Sequence, residues 1–449
     1  MNLGEFAVAV LELDVRTTEV ARAVADRLAA FAGAAGSSEE PTWPDPLKDE
    51  ASLADGYPGM ALALLHAGKA LDEPGPIGAA QALLRRSAQA TAVRPLSEAG
   101  LYNGTAGFAS VLLEFAAHDR RYLPSLRRVA DSFGEQIAAR ELPEPGEGLP
   151  LSAFDVISGA AGQLAAAVRL CTALEAAPGD PIRTAAERLT EYLLRVSEPD
   201  DRQRPGWFTP PDYYGAYPGY DEQAPHGMYN LGFAHGLPGI VSALCVAAAA
   251  GIGGSGPSEA IARSTTWLVE NRLADDVPGA AWPNLLKAEE GTGLPLAPTG
   301  RRSARAAWCF GAPGIGIALL NAAGVLGDSA LRETAVGALQ RVVDWSPAER
   351  YIFAPNLCHG HSGLLAVYRR AHEVTGTDSF RIMAEDSLRA VLSKADEARP
   401  YVVADEPRPG ELVDDPGFVN GAAGVLLALC GALAPRATGW DELFLLAPA

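Results

Sequence analysis

The chain has 449 residues, of which 48% are hydrophobic and 20% are charged, so it can bury a large core and is not a disordered chain. Its 55 acidic and 36 basic residues give a net charge of −19, which disfavours nucleic acids and anionic membrane surfaces as partners. Five scattered cysteines do not suit a disulfide scaffold, and residues 1–15 lack the basic residues of a signal peptide. These features predict a soluble, cytoplasmic protein without a transmembrane segment.

A Gly-x-x-Gly motif opens an apolar run seven times along the chain. One such motif carries little information, but seven indicate an internal repeat. Proline inside three of the motifs suits the first turn of a helix, so each motif is predicted to be a turn that leads into a buried helix. In chain order the motifs are Gly56-Tyr-Pro-Gly59, Gly104-Thr-Ala-Gly107, Gly159-Ala-Ala-Gly162, Gly236-Leu-Pro-Gly239, Gly311-Ala-Pro-Gly314, Gly360-His-Ser-Gly363 and Gly421-Ala-Ala-Gly424.

Amphipathic segments with Arg and Glu on one face separate these apolar runs. The alternation predicts an all-α fold, an α/α toroid of seven inner and seven outer helices in a single domain over residues 1–449. An open solenoid is the alternative, but it needs polar capping repeats, and the seventh apolar segment lies almost at the chain end. The predicted outer helices are Val20–Phe31, Ala79–Ala92, Leu123–Leu142, Ile182–Val196, Ile261–Leu273, Leu331–Trp345 and Phe380–Ala395.

In such a ring the inner helices run parallel, so all seven motifs are expected at one end. Helix N-termini would converge there and favour anions, including thiolates. Two long loops, Glu198–Pro225 and Asp275–Thr299, are expected to rim or cover this cavity. The first loop is rich in Pro, Tyr and Gly and could grip a peptide.

Comparison of the repeats with one another isolates unusual residues beside the motifs. Cys309 and Cys358 both stand two residues before a motif glycine, and His359 follows the second of them. Thiolate and imidazole donors suit Zn²⁺, and three ligands would leave the fourth position for water or a substrate thiol. The alternative is that both cysteines are buried apolar fillers. The other three cysteines, inside apolar runs, are predicted to be core residues.

Three further residues are expected near the same cavity. His235, directly before a motif glycine, is interpreted as a fourth zinc ligand, a free acid/base or a structural residue. Asp155 precedes Gly159 by four residues and could equally be a turn residue or helix cap. Arg305 precedes Cys309 by four residues; it is either a surface residue or a cation that holds Asp155 or a developing oxyanion.

Four segments resemble the lanthipeptide (lantibiotic) cyclase family, the LanC-like proteins, and the resemblance spans all seven repeats. The segments are Phe154-Asp-Val-Ile-Ser-Gly159, Asn230-Leu-Gly-Phe-Ala-His-Gly-Leu-Pro-Gly239, Arg305-Ala-Ala-Trp-Cys-Phe-Gly-Ala-Pro-Gly314 and Asn356-Leu-Cys-His-Gly360. The resemblance implies an α/α toroid with zinc ligands at Cys309, Cys358 and His359. Phe310 departs from the family, which commonly has Tyr after the first zinc cysteine.

The resemblance also implies an activity and partners. His235 would be the acid/base, Asp155 the family's acidic residue and Arg305 its arginine near the metal. The enzyme would add Cys thiols of a dehydrated precursor peptide to dehydroalanine or dehydrobutyrine and form (methyl)lanthionine thioether rings of an antibiotic. The chain resembles the free-standing cyclases, whose peptide is dehydrated by a separate enzyme. A complex with that dehydratase and an exporter could place it peripherally at the membrane.

Three alternative functions are compatible with parts of the sequence. A LanC-like enzyme could add glutathione or another small thiol to dehydrated residues, since the same zinc site would serve. A non-catalytic peptide-binding scaffold could carry a structural zinc ion, which would favour a fourth protein ligand such as His235. A toroidal glycosidase could use Asp55 and Asp155 as paired carboxylates, but the Cys/His set would then have no task.

Overall fold

The computed structural model describes residues 3–34, 50–215, 219–273, 281–299, 305–434 and 439–447. Within the two predicted cavity loops, residues 216–218 and 275–280 lie outside the described residues. The described part is mostly helical, as expected for an all-α fold. Its helices are α1 (Leu3–Ala34), α2 (Tyr57–Ala70), α3 (Pro74–Val93), α4 (Thr105–His118), α5 (Leu123–Ala139), α6 (Leu151–Phe154), α7 (Ala160–Leu174), α8 (Pro181–Val196), α9 (Tyr220–Gln223), α10 (Leu237–Ala249), α11 (Gly256–Glu270), α12 (Ala312–Leu326), α13 (Ser329–Asp344), α14 (Pro347–Arg350), α15 (His361–Thr375), α16 (Asp378–Ser393) and α17 (Ala422–Leu433).

Every Gly-x-x-Gly motif begins a helix. The first glycine is the N-cap residue and the helix starts at the next residue, in α2, α4, α7, α10, α12, α15 and α17. The second glycine lies against the turn that precedes it. At Gly239 and Gly314, an added Cβ would come closer than 3.0 Å to the carbonyl oxygen of Phe233 and Trp308, respectively. The second glycine is therefore needed because the helix and the preceding turn approach each other closely. The prediction that each motif is a turn leading into a helix is confirmed.

The chain divides into two compact units, and the larger comprises Ser97–Tyr351 and Asp441–Ala449. In this unit the inner helices α4, α7, α10 and α12 pack side by side in chain order. Each inner helix also packs against the amphipathic helix that follows it, namely α5, α8, α11 or α13. Inner helices are buried nearly all round, whereas the outer helices bury one face, as their charge patterns predict.

The other unit comprises Met1–Leu96 and Ile352–Trp440. Its inner helices α15, α17 and α2 pack in that order, so the last inner helix of the chain contacts the first. The amphipathic helix α1 packs against α17, α2 and α3. Within this unit, the first and the last repeats of the chain are thus neighbours.

Backbone hydrogen bonds join the motif turns of successive repeats in the larger unit. The amide of Tyr102 donates to the carbonyl of Ile157 at 3.0 Å, and that of Val156 donates to Ala234 at 3.0 Å. The amide of Ala234 in turn donates to the carbonyl of Cys309 at 3.3 Å. These bonds hold the turns before α4, α7, α10 and α12 at one end of the helices, as predicted for parallel inner helices.

The smaller unit has the same kind of link between its turns. The amide of Cys358 donates to the carbonyl of Val419 at 3.1 Å, and the amide of Val419 donates to Ala54 at 3.3 Å. The turns before α15, α17 and α2 are thus joined in the order in which the helices pack. Within each unit, the residues just before the motifs share one end of the helices.

Short strands order the long connections. Strand β1 (Met228–Asn230) pairs antiparallel with β2 (Leu285–Lys287), and β3 (Asp405–Arg408) pairs antiparallel with β4 (Glu411–Val413). The first pair joins the segment just after one predicted cavity loop to the other loop, a pairing that the sequence does not indicate. Across the described residues, no helix is both long and apolar enough to cross a membrane.

Candidate functional site

Cys309 lies in a tight turn between Trp308 and the start of α12. The amide of Ala307 donates to the carbonyl of Phe310 at 3.0 Å, which closes the turn around Cys309. Gly311 has φ +109°, a conformation that disfavours a side chain, and it caps the helix directly after the turn. Cys309 keeps only 9% of its surface exposed. Its sulfur is thus held by a constrained backbone at the end of the helices where the motifs lie.

Cys358 and His359 lie in the turn before α15, where Asn356 and Asp405 orient the histidine. The His359 amide donates to Asn356 Oδ1 at 2.9 Å, and the Asn356 Nδ2 atom lies 3.0 Å from His359 Nε2. Asn356 Nδ2 also donates to Asp405 Oδ1 at 2.5 Å, and Asp405 Oδ1 is 4.0 Å from His359 Nε2. Asn356 is fully buried, so this arrangement fixes the imidazole before any ligand binds.

The structure brings the three predicted zinc ligands together. The sulfur atoms of Cys309 and Cys358 and a ring nitrogen of His359 all lie within 4.8 Å of one another. In a tetrahedral site with Zn–S of about 2.3 Å and Zn–N of about 2.0 Å, neighbouring donor atoms are roughly 3.3–3.8 Å apart. The three donor atoms would therefore need to move only slightly closer together to hold zinc. Two thiolates and one imidazole are also donors that zinc prefers.

The remaining three cysteines are core residues, as predicted. Burial raises the pKa of Cys171 to about 11 and that of Cys430 to about 12, and it raises the pKa of Cys245 as well. All three are free thiols inside inner helices. Their side chains stay protonated near neutral pH and are not available as thiolate ligands.

His235 pairs directly with Asp155. His235 Nδ1 lies 2.6 Å from Asp155 Oδ2, and Asp155 Oδ1 accepts from the amides of Ser158 at 2.7 Å and Gly159 at 2.8 Å. The side chain of Asp155 is 3% exposed and that of His235 is 17% exposed. Asp155 is therefore both a turn residue and the partner of a histidine. A carboxylate at Nδ1 orients the ring.

A tyrosine from the first cavity loop lies near Cys309. Burial raises the pKa of Tyr220, and a negative charge on Cys309 would raise it further. A hydrogen bond with the Asn230 side chain lowers the same pKa. The ring of Tyr220 packs edge-on against Tyr214 at 5.7 Å. The structure thus places a phenol close to the cysteine whose neighbour, Phe310, has no hydroxyl. The distance in sequence between Tyr220 and Cys309 hid this proximity.

Arg305 lies on a bend next to Ala306, whose amide donates to the carbonyl of Arg350 at 2.9 Å. The expected task of Arg305 toward Asp155 or an oxyanion stays a prediction.

Comparisons with known proteins agree with this fold. The model of the lanthionine synthetase C-like protein family matches residues 48–445, so the chain belongs to this family. A solved structure of a nisin cyclase matches with a TM-score of 0.72 at 21% sequence identity, covering 89% of this chain and 93% of that one. This likeness shows the shared fold, and the predicted all-α toroid is confirmed. Comparison with curated proteins finds no match.

Proposed function

We propose that the chain is a zinc-dependent cyclase that forms (methyl)lanthionine rings in a dehydrated precursor peptide. The observation that carries the proposal is the cluster of Cys309, Cys358 and His359, three donors that leave one zinc position for a substrate thiol. The pair of His235 and Asp155 supplies the proton-transfer group that such an addition needs. Membership of the lanthionine synthetase C-like family supports the same reaction class.

When bound, zinc would lower the pKa of a coordinated substrate thiol, which is otherwise about 8.5 and mostly protonated at neutral pH. Cys309 and Cys358 as thiolates and His359 as neutral imidazole would balance the two positive charges of the ion. Asn356 and Asp405 would keep the His359 ring in its coordinating orientation. The protein residues therefore prepare a neutral site in which a third thiolate keeps its negative charge and its nucleophilicity.

The second task is a proton transfer, which we assign to His235. The new bond forms between the substrate sulfur and the β-carbon of dehydroalanine or dehydrobutyrine, while the electron pair of the double bond moves to an enolate. A proton then adds to the α-carbon, so that the proton lost by the thiol is regained and the peptide mass is unchanged. Asp155 holds the His235 ring in position, and the protonated ring would donate this proton. Arg305 would stabilise charge on the enolate oxygen.

We further propose the surroundings in which this activity operates. The partners would be the dehydrated precursor peptide, a separate dehydratase and an exporter, with residues 1–449 acting as one domain. A reducing compartment such as the cytoplasm suits five free thiols, two of which must be reduced to bind metal. Association with the exporter would place the enzyme at the membrane surface.

The proposal is tested with a dehydrated precursor peptide and a thiol-alkylating reagent. Ring closure changes no mass, so loss of alkylation, read by mass spectrometry, reports cyclisation. We expect loss of alkylable thiol with the zinc-loaded protein and none with Cys309→Ala, which should also lose its metal. Cys245→Ala, a buried cysteine outside the cluster, is the matched control and should retain both. Full activity of Cys309→Ala would contradict the assignment.

The same assay separates the alternatives. A dehydrated peptide without cysteine, incubated with glutathione, gains the mass of glutathione only if the enzyme adds small thiols. A scaffold with structural zinc would leave both peptides unchanged. A glycosidase is disfavoured because the carboxylate of Asp155 is already engaged by His235 and two backbone amides.

A further inference from the structure

Residues 441–446, here called the C-terminal segment, belong to the larger unit, and the last four of them are buried. Leu443 is 1% exposed, and Phe444, Leu445 and Leu446 are fully buried. Leu445 has φ +52°, a left-handed conformation that a bulky residue adopts only where its surroundings enforce it. A chain end held in this way is a fixed part of the interior and not a loose tail.

Side chains from different repeats hold the carbonyl groups of this segment. The hydroxyl of Tyr102 donates to Leu443 O at 2.9 Å, and the indole Nε1 of Trp308 donates to Phe444 O at 3.1 Å. Asn321 on α12 donates to the carbonyl of residue 446 at 3.2 Å. The buried donors and the segment satisfy one another, so removing either leaves buried polar groups unpaired.

A buried ion pair adds a further anchor. Arg169 on α7 is 7% exposed, and its Nε atom donates to Glu442 at 2.6 Å while Nη2 donates to Glu114 on α4 at 3.1 Å. Because a buried guanidinium needs its carboxylates, this pair fixes the start of the segment against α4 and α7. The segment is thereby tied to three inner helices of the unit.

Aromatic contacts connect the segment to the turns that carry the site. The ring centroids of Phe444 and Trp308 are 4.4 Å apart, and those of Trp308 and Phe233 are 5.3 Å apart. Trp308 directly precedes Cys309, and Phe233 precedes His235 by two residues. The same two turns are joined by the bond from the Ala234 amide to the Cys309 carbonyl. Phe444 therefore packs on the residue that determines where the Cys309 turn lies.

We propose that the C-terminal segment is a positioning element for the site and that Phe444 is its positioning residue. Trp308 is fixed because its ring packs against that of Phe444 and its indole donates to the Phe444 carbonyl. The Cα atom of Cys309 is only about 3.8 Å further along the chain. Metal ligands must lie within about 0.2 Å of their ideal distances. A displacement of Trp308 larger than this would therefore carry the Cys309 sulfur out of the range of distances that a metal tolerates. The part of this inference that concerns metal binding rests on the proposed function.

The experiment compares Phe444→Ala and Phe444→Leu with Phe133→Ala. Phe133 is an equally buried phenylalanine on the outer helix α5, so its replacement removes the same volume from the core of the same unit. Two properties are measured: Co²⁺ affinity by visible absorption during titration, and hydrogen exchange of the Ala234 amide by mass spectrometry. The exchange measurement needs no metal.

If the segment positions the site, Phe444→Ala lowers Co²⁺ affinity by about tenfold or more and speeds exchange at Ala234. Phe444→Leu, which keeps most of the volume, shows the same changes to a smaller degree. Phe133→Ala lowers the melting temperature but changes Co²⁺ affinity by less than about twofold.

Wild-type Co²⁺ affinity and wild-type exchange at Ala234 in both Phe444 variants would overturn the inference. If Phe444→Ala does not fold, the leucine variant alone decides between these results. If the wild-type protein binds no Co²⁺, the proposed metal site fails, and exchange at Ala234 still decides whether the segment holds the turn.

Discussion

At the scale of single residues, the two oxygen atoms of Asp155 have different tasks. Oδ1 accepts from two backbone amides and shapes the turn before α7, while Oδ2 meets His235 Nδ1. A substitution that keeps one oxygen and replaces the other can therefore separate folding from proton transfer. Asparagine provides this change, because its Oδ1 still accepts while its NH₂ group cannot accept a hydrogen bond from His235 Nδ1.

We expect Asp155→Asn to keep the melting temperature near that of the wild type and to lower cyclisation at least about tenfold. His235→Asn should bind zinc normally and lose roughly 10²- to 10⁴-fold in rate, the usual contribution of a general acid or base. Steady-state rates from the alkylation assay and zinc content by mass spectrometry are the measurements. Asp119→Asn, the same change at the turn before α5, is the control and should be fully active. Unchanged turnover in Asp155→Asn would exclude the pair from the proton transfer.

The five cysteines differ in reactivity for physical reasons that the structure gives. With a pKa of about 11, Cys171 is about 0.1% thiolate at pH 8, and Cys245 and Cys430 are also kept protonated by burial. Cys358 is half-buried and Cys309 is 9% exposed. Only these two belong to the candidate metal site.

In the folded, metal-free protein at pH 8, we expect iodoacetamide to modify Cys358 fastest, then Cys309, and to leave Cys171, Cys245 and Cys430 unmodified. Added Zn²⁺ should protect both reactive cysteines, because a coordinated thiolate alkylates slowly. Peptide mapping by mass spectrometry measures the modified fraction at each site, and the three core thiols are internal controls. Zinc that protects neither cysteine would contradict the ligand assignment.

At the scale of elements, the motif glycines set how closely each inner helix approaches the turn before it. Gly314 is the second glycine of the motif after Cys309, and an added Cβ there would meet the carbonyl of Trp308 and the side chain of Phe233. The same helix, α12, contains Gly324, which has nothing within 4 Å of an added Cβ. The two glycines are thus a matched pair in one helix.

Gly314→Ala should lower the free energy of unfolding by about 1–3 kcal/mol, because the turn that carries Cys309 must move away from α12. Gly324→Ala should raise it by about 0.5–1 kcal/mol through helix propensity. Urea unfolding followed by circular dichroism measures both. Equal effects of the two substitutions would show that the close approach does not constrain the helix.

At the scale of the whole molecule, the repeat pattern alone predicts where the inner helices lie in the chain. The seven motifs predict the seven inner helices because one tight turn recurs, and the packing of α17 against α2 follows from the late position of the last motif. The odd residues at equivalent repeat positions predict the Cys309, Cys358 and His359 cluster. Both predictions are possible because the motif occurs seven times, so that a residue that differs from those at the equivalent positions of the other repeats can be recognised.

What the sequence leaves unpredicted depends on contacts between distant, non-repeated segments. Asn356 and Asp405, which orient His359, are ordinary loop residues until β3 brings Asp405 beside the turn. The pairing of β1 with β2 and the burial of the C-terminal segment are equally non-local. Some helix boundaries also differ from the predicted ones. Helix α11 starts at Gly256, five residues before its predicted start, because Pro257 suits the first turn.

The central claim is that Cys309, Cys358 and His359 hold one zinc ion that receives the substrate thiol. X-ray absorption spectroscopy at the zinc edge, with and without a bound dehydrated precursor peptide, tests it most directly. We predict two sulfur ligands with lighter atoms in the free enzyme and three sulfur ligands when a cysteine-containing peptide binds, with no change for the same peptide bearing serine in place of cysteine. A sulfur count that stays the same with the cysteine peptide, or zinc without sulfur ligands, would contradict the account.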